Sequence, residues 1–277
     1  MDKRRFLIRF VPIAIAGLIF LSQYFSAEKF TNETGRSARV GMSEDQEMQL
    51  GLQSYQQVLQ ESETVDSGPE HELVKRVAAR LAAATGERGR NFDWRVSLVR
   101  DPQVNAFCLP GGKIVVFTGI LPVAKTEAGL ATVMGHEMAH ATARHGSERV
   151  FQQKATQTLM TGVQFSLGDM SYEQQRAIMG AIGAGAKYGL LMPFGRDHES
   201  EADAMGLSYM ARAGYDPREA VAFWQRMDEK SGGQNPPEFM STHPSHDNRV
   251  ARLKELIPKV LPEYEQAARG ARQASGR

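Results

Sequence analysis

Residues 136–140 read His-Glu-Met-Ala-His. Side chains four apart share one face of an α-helix, so His136 and His140 can both offer imidazole nitrogens to one metal ion. Glu137 is one step away and flanks such an ion. There a carboxylate can take the proton of a water that the metal polarises. Lewis acid, nucleophilic water and base are the set that peptide hydrolysis needs. Ala131, Val133, Met138 and Ala139 make the surrounding helix apolar and point to burial. Two histidines and a glutamate buried without a partner are costly.

Zinc needs a third protein ligand, and residues 198–203, His-Glu-Ser-Glu-Ala-Asp, supply candidates. Glu199 and Asp203 are four apart. Glu199 can ligate the metal while Asp203 accepts the second N–H of a zinc histidine. Glu201 sits two residues from each and reads as a surface charge. Glu201 and His198 remain the alternatives to Glu199. A third segment, residues 242–249, reads Thr-His-Pro-Ser-His-Asp-Asn-Arg. His243 can fill a fourth metal position and keep the enzyme latent, or donate to the oxyanion of a tetrahedral intermediate. Arg249 can stabilise that charge or pair with a carboxylate. The plainer alternative is helix entry, with Ser245 as the cap and His246 exposed.

The elements that must position these groups follow from patterning. A helix opens at Ser43 with Gln46 in capping-box register. Leu73, Val74, Val77 and Leu81 keep helical spacing, and 93–100 alternates as a strand. Strands at 104–109 and 114–118 flank the turn Pro110-Gly111-Gly112. A long helix is expected over 126–145, stopped by Gly146. Residues 150–191, rich in Met, Gln, Gly and Ala, read as weakly specified helices with three open roles: lid, bilayer contact or core packing. Further helices are expected over 196–213, from Asp216-Pro217 onward, and over 246–256. The expected fold is therefore mainly α with a small β-sheet (α+β). A protease-sized domain at 43–265 follows an N-terminal segment (1–26) and a linker (27–42), and precedes a disordered tail (266–277).

Hydrophobic residues make up 42% and charged residues 23% of the 277, ordinary for a globular chain. The net charge of +1 provides no basic field to gather nucleic acid. The single cysteine, Cys108, excludes an intrachain disulfide and a cysteine metal cluster. Any metal site must use His, Asp and Glu. The chain begins Met-Asp-Lys-Arg-Arg and is apolar from Phe6 to Phe25, apart from Arg9 and Ser22-Gln23. This reads as a single-span inner-membrane anchor, with Arg9 snorkelling, or as a cleaved signal. Either way the basic end stays in the cytoplasm. The catalytic domain then lies in the periplasm or another non-cytosolic compartment, soluble if the segment is cut.

Over nearly all of 43–256 the sequence resembles the HtpX and CaaX-prenyl-endopeptidase family of gluzincin metalloproteases. The resemblance runs through Ser-Glu-Asp-Gln-Glu at 43–47, Asn-Ala-Phe-Cys-Leu-Pro-Gly-Gly at 105–112 and Thr118-Gly119. It continues through 136–140, 199–203, Ala-Gly-Tyr-Asp-Pro at 213–217 and Thr-His-Pro at 242–244. The nearest branch is the BepA-like periplasmic and mitochondrial inner-membrane quality-control group. The resemblance implies a zincin-type domain with one zinc ion per chain on His136, His140 and Glu199, with Glu137 as the base. It also implies His243 as a residue that caps the zinc and must move aside. Its substrates would be unfolded or damaged membrane or envelope proteins. These would pair with a strand edge beside the zinc helix at Asn105, Ala106 and Phe107, where Cys108 is a small packed residue. The helical-repeat domain of BepA-like proteins and the several membrane helices of other relatives are not expected here. The alternatives are a zinc-binding holdase, which would not need Glu137, and a membrane-tethered assembly factor, which would need exposed repeats or charge blocks.

Overall fold

The structure is a computed structural model that describes residues 8–187, 191–231, 238–243 and 248–275, with backbone alone at 192–194, 231 and 271–275. Pro244, Ser245 and His246 lie outside the described residues. In chain order the elements are α1 (Val11–Ser26), β1 (Glu28–Thr31), β2 (Ser37–Val40), α2 (Glu44–Glu61) and α3 (Pro69–Ala84). Then come β3 (Arg95–Val99), β4 (Ala106–Leu109), β5 (Lys113–Phe117), α4 (Glu127–Thr142), α5 (His145–Ser166) and α6 (Tyr172–Ala186). The chain continues with α7 (Met192–Arg212), α8 (Glu219–Ser231), α9 (Glu238–Thr242) and α10 (Arg249–Ser275). It is mainly helical with small sheets, and it divides into two compact units, 1–43 with 146–197 and 44–145 with 198–277.

The first unit holds α1, the β1–β2 hairpin, α6 and most of α5. Residues 27–42, expected as a patternless linker, form that antiparallel hairpin. Phe30, Ala38 and Val40 alternate inward and give it a buried face. The Asn32 side chain closes its turn by accepting from the Thr34 and Arg36 N–H groups. Arg36 pins the hairpin to α5 through two bonds to Glu148, 2.8 and 2.7 Å. Among the described residues no helix is long and apolar enough to cross a membrane; α1 has 16 residues. Phe10, Ile15, Leu18 and Phe25 on or beside α1 are exposed. Arg9 pairs with Asp169. Residues of α6 are not buried, so plain core packing does not describe that segment.

The second unit carries the chemistry. Its sheet has the order β3-β5-β4, with β3 parallel and β4 antiparallel to β5. The expected hairpin is thus present, and Gly111 and Gly112 take φ of +74° and +82° at its turn, which glycine accommodates without Cβ strain. Around the sheet, α3 contributes Val77 and Leu81, α4 contributes Leu130 and Met138, and α8 contributes Phe223 and Trp224 to one core. Thr126 caps α4 by accepting from the Gly129 N–H at 2.9 Å. The helix is buried on nearly every face, as its apolar residues suggested.

Two boundaries differ from expectation. α4 ends at Thr142 and Gly146 lies inside α5. The break falls at Arg144, which takes φ +57°, a left-handed conformation uncommon outside glycine. Burial against Glu47 holds it there, with Arg144 Nε 3.0 and 3.1 Å from the two carboxylate oxygens. At the other end, α10 runs to Ser275, where a disordered tail was expected from 266. Two prolines, Pro258 and Pro262, lie inside this helix.

The active helices meet at glycines. A Cβ on Gly206 of α7 would lie 2.9 Å from the His136 backbone nitrogen, and one on Gly135 would lie 3.2 Å from the Gly206 carbonyl oxygen. The backbones of α4 and α7 therefore approach as closely as bare glycine allows. Gly206→Ala should destabilise the protein by about 1–3 kcal/mol through overpacking. Gly180→Ala, with nothing within 4 Å of the added Cβ, should cause no loss. Denaturant unfolding of the two variants checks this, and equal midpoints would show that the close approach carries no constraint.

Candidate metal centre

The crossing of α4 and α7 brings two four-residue repeats together. His136 and His140 project from one face of α4, and their Nε2 atoms are 3.1 Å apart. Glu199 of α7 faces both: Oε2 is 3.2 Å from His136 Nε2 and Oε1 is 3.4 Å from His140 Nε2. His243, just past α9, brings Nδ1 to 3.3 Å from Glu199 Oε1. One donor atom from each of these four residues lies within 4.8 Å of all the others. His243 is held by stacking on Phe239, with ring centroids 4.6 Å apart, and by its N–H to the Phe239 carbonyl at 2.8 Å.

Glu137 stands beside this set. Its Oε1 is buried with no hydrogen-bond partner, although His243 Nε2 is 3.5 Å away. The Cys108 backbone N–H hydrogen-bonds the same carboxylate. Asp203, one turn beyond Glu199, lies 3.0 Å from His136 Nδ1. Arg249 grips Asp203 with Nε at 2.8 Å and Nη2 at 2.7 Å and lies over the Trp224 ring. Of the two roles open to Arg249, its contacts are those of a carboxylate pair.

The electrostatics define what fits here. Burial pulls the His136 imidazole down, but hydrogen bonds to Asp203 and Glu199 outweigh it and hold the group at about 9. Burial pushes Glu137 up to about 8. Burial also acts to raise Glu199, yet His136 and His140 keep it well below the usual carboxylate range. His140 falls to about 4 through burial, and burial likewise holds His243 well below its ordinary value. The neighbouring carboxylates thus favour a proton on His136, and burial favours one on Glu137. Three carboxylates, Glu137, Glu199 and Asp203, face one permanent positive charge, Arg249. A divalent cation on the imidazole and carboxylate donors supplies the two missing charges, and a mixed nitrogen–oxygen set suits zinc. The residues therefore fit the metal.

Several sequence expectations land differently. Glu201 is not a surface charge. Its side chain is 8% exposed, with Oε2 2.9 Å from His145 Nε2. His198 is fully buried and stacks on His145 with ring centroids 4.0 Å apart. Neither belongs to the four-donor group. Sequence reasoning passed over His145 altogether, because a position five residues after His140 is off the helical face; only the left-handed turn at Arg144 brings it back. The β4 edge also shifts by one residue. Phe117 N–H donates to the Asn105 carbonyl, and Phe107 stands opposite Val115. Asn105 and Phe107 therefore turn their backbones toward β5, while Ala106 and Cys108 turn theirs to the unpaired edge. Asn105 Oδ1 accepts the Ala106 N–H at 2.9 Å. Burial pushes the Cys108 thiol up, which fits a packed residue.

The match to Peptidase family M48 covers residues 69–257. The chain is 35% identical over 246 residues to the mitochondrial metalloendopeptidase OMA1 of Schizosaccharomyces pombe, covering 87% of this chain and 70% of the relative. It is 30% identical to the human mitochondrial metalloendopeptidase OMA1, covering 91% of this chain and 50% of that one. It is 28% identical to the β-barrel assembly-enhancing protease of Yersinia pestis, covering 85% and 49%. The chain thus spans about half the length of the last two. These matches bear out the protease resemblance, while the HtpX and CaaX-endopeptidase label is broader than they support. A family match that takes in the whole donor set, and metalloendopeptidase relatives aligned along most of the chain, establish that this chain belongs to peptidase family M48.

Proposed function

We propose that the protein is a zinc-dependent endopeptidase in which His136, His140 and Glu199 hold one zinc ion and Glu137 is the general base. The observation that carries this reading is the buried convergence of those donors beside a carboxylate oxygen with no hydrogen-bond partner. Bound zinc supplies a Lewis acid that lowers the pKa of water toward ~7. Glu137, ionised once opposite charge stands beside it, takes the proton of the attacking water at Oε1 and returns it to the leaving amine. Asp203 accepts from His136 Nδ1 and so leaves Nε2 free for the metal. Arg249 keeps Asp203 ionised.

Substrate lies along β4 in this reading. An extended polypeptide donates to the outward carbonyls of Ala106 and Cys108, whose N–H groups already serve Asn105 Oδ1 and the Glu137 carboxylate. Backbone pairing ignores most side chains, which suits unfolded or damaged polypeptides, including those of a membrane or cell envelope. His140 and His243 keep 13% and 14% of their side chains exposed while Glu137 and Glu199 keep 4% each, so access is past the two histidines. His243 acts as a fourth ligand that closes the resting site. The reading also includes membrane association through 1–26, with the protease unit outside the cytosol. The exposed apolar residues of α1 support it.

Glu137→Gln should keep zinc and lose about 10²–10⁴-fold or more of casein hydrolysis, whereas Glu199→Ala should lose the zinc itself. Metal analysis beside the digestion separates the two, and near-normal turnover by Glu137→Gln would remove it from the mechanism. For His243→Ala, the latch role predicts retained zinc and faster cleavage. A fall of about 10²–10³-fold with zinc unchanged would instead make His243 an oxyanion donor. Membrane association predicts that the full chain sediments with membranes in high salt while a 27–277 chain does not; equal release of both would contradict it.

A further inference from the structure

Behind His140, on the side away from the donors, lies a second row of buried polar groups that the proposed chemistry does not use. His140 Nδ1 is 2.9 Å from His145 Nδ1. His145 Nε2 is 2.9 Å from Glu201 Oε2. The imidazole of His145 is 2% exposed and fixed in plane by its stack on His198, at 10° between rings. Its backbone follows Arg144, whose left-handed turn is locked by Glu47. Three elements, α2, α4 and α7, therefore contribute to placing one ring.

With Glu201 ionised and His145 neutral, the donors and acceptors along this row can be ordered in one way. An ionised carboxylate only accepts, so Glu201 requires a hydrogen on His145 Nε2. A neutral His145 then has a lone pair on Nδ1, and that lone pair requires a hydrogen on His140 Nδ1. His140 Nε2 is left with its lone pair, aimed at Glu199 and His136. Reversing the row would put a hydrogen on His140 Nε2 and remove it as a ligand. We propose that His145 and Glu201 are positioning residues that fix the tautomer and ring orientation of His140, and thereby select which of its nitrogens meets the metal. His136 obtains the same service from Asp203 directly; His140 obtains it through an intervening imidazole. The inference rests on the metal-site reading above, but it concerns residues outside the donor set.

The test is zinc affinity of the full chain by competition with a chromophoric chelator, together with the visible absorption of the cobalt(II)-loaded protein. Glu201→Gln can donate from its amide and so permits the reversed row. It should weaken zinc by about 10–100-fold and shift the cobalt bands, with the unfolding midpoint of the zinc-free protein unchanged. His145→Asn, whose amide oxygen can stand in for Nδ1, should bind zinc more tightly than His145→Leu. Unchanged zinc affinity in both Glu201→Gln and His145→Leu would overturn the relay. So would losses that merely follow a lowered unfolding midpoint with no advantage for His145→Asn. A wild-type chain that takes up no zinc would overturn the relay together with the site reading, which distinguishes the two failures.

Discussion

The structure depends on a concentration of buried charge, three carboxylates around one arginine, that a bound cation would balance. Glu137 and Glu199 are each 4% exposed and Asp203 9%, in a site where Arg249 is the permanent positive partner. Unpaired carboxylates at such depth cost several kcal/mol each. The fold offsets this by favouring protons on His136 and Glu137, and the donors converge so that a divalent ion can replace them. Much of the surrounding architecture follows from that need. Glycine at 135 and 206 lets α4 and α7 touch, Trp224 covers Arg249, and α4 is enclosed on nearly all faces so that water does not screen the site.

Enclosure takes in the base as well as the ligands. His136, Glu137 and Glu199 are buried to the same depth, while His140 and His243 lie toward the accessible side. Within that enclosure Glu137 keeps an oxygen without a hydrogen-bond partner. A buried polar atom of that kind calls for an explanation in any structure, and the proposed role of Glu137 as base for an attacking water offers one. The β4 edge lies against the same helix, and its Cys108 N–H hydrogen-bonds the Glu137 carboxylate. The base is thus oriented by the strand on which the substrate is proposed to lie.

The parts of this arrangement written in local spacing were legible in the sequence. His136 with His140, and Glu199 with Asp203, are four apart, and helical geometry alone puts each pair on one face. The strand–turn–strand around Pro110-Gly111-Gly112 was equally local. The rest depended on long-range contacts. His145 reaches His140 only because Glu47, 97 residues away from Arg144 in sequence, holds the chain in a left-handed turn. Glu201 looked like a surface charge because helical spacing says which residues share a face, but not how many faces of α7 are buried. The 27–42 hairpin was hidden by its short strands, and the continuation of α10 beyond 256 by two prolines of the kind that end most helices. The grouping of 146–197 with the N-terminal residues has no compositional mark.

The central claim is that one metal ion is held by imidazoles and a carboxylate in this site. X-ray absorption at the zinc edge of the loaded, resting protein tests it most directly. The account predicts four nitrogen or oxygen neighbours near ~2.0–2.1 Å, with the multiple-scattering pattern of three imidazoles, from His136, His140 and His243. A sulfur neighbour, or a shell of oxygens without imidazole scattering, would contradict it.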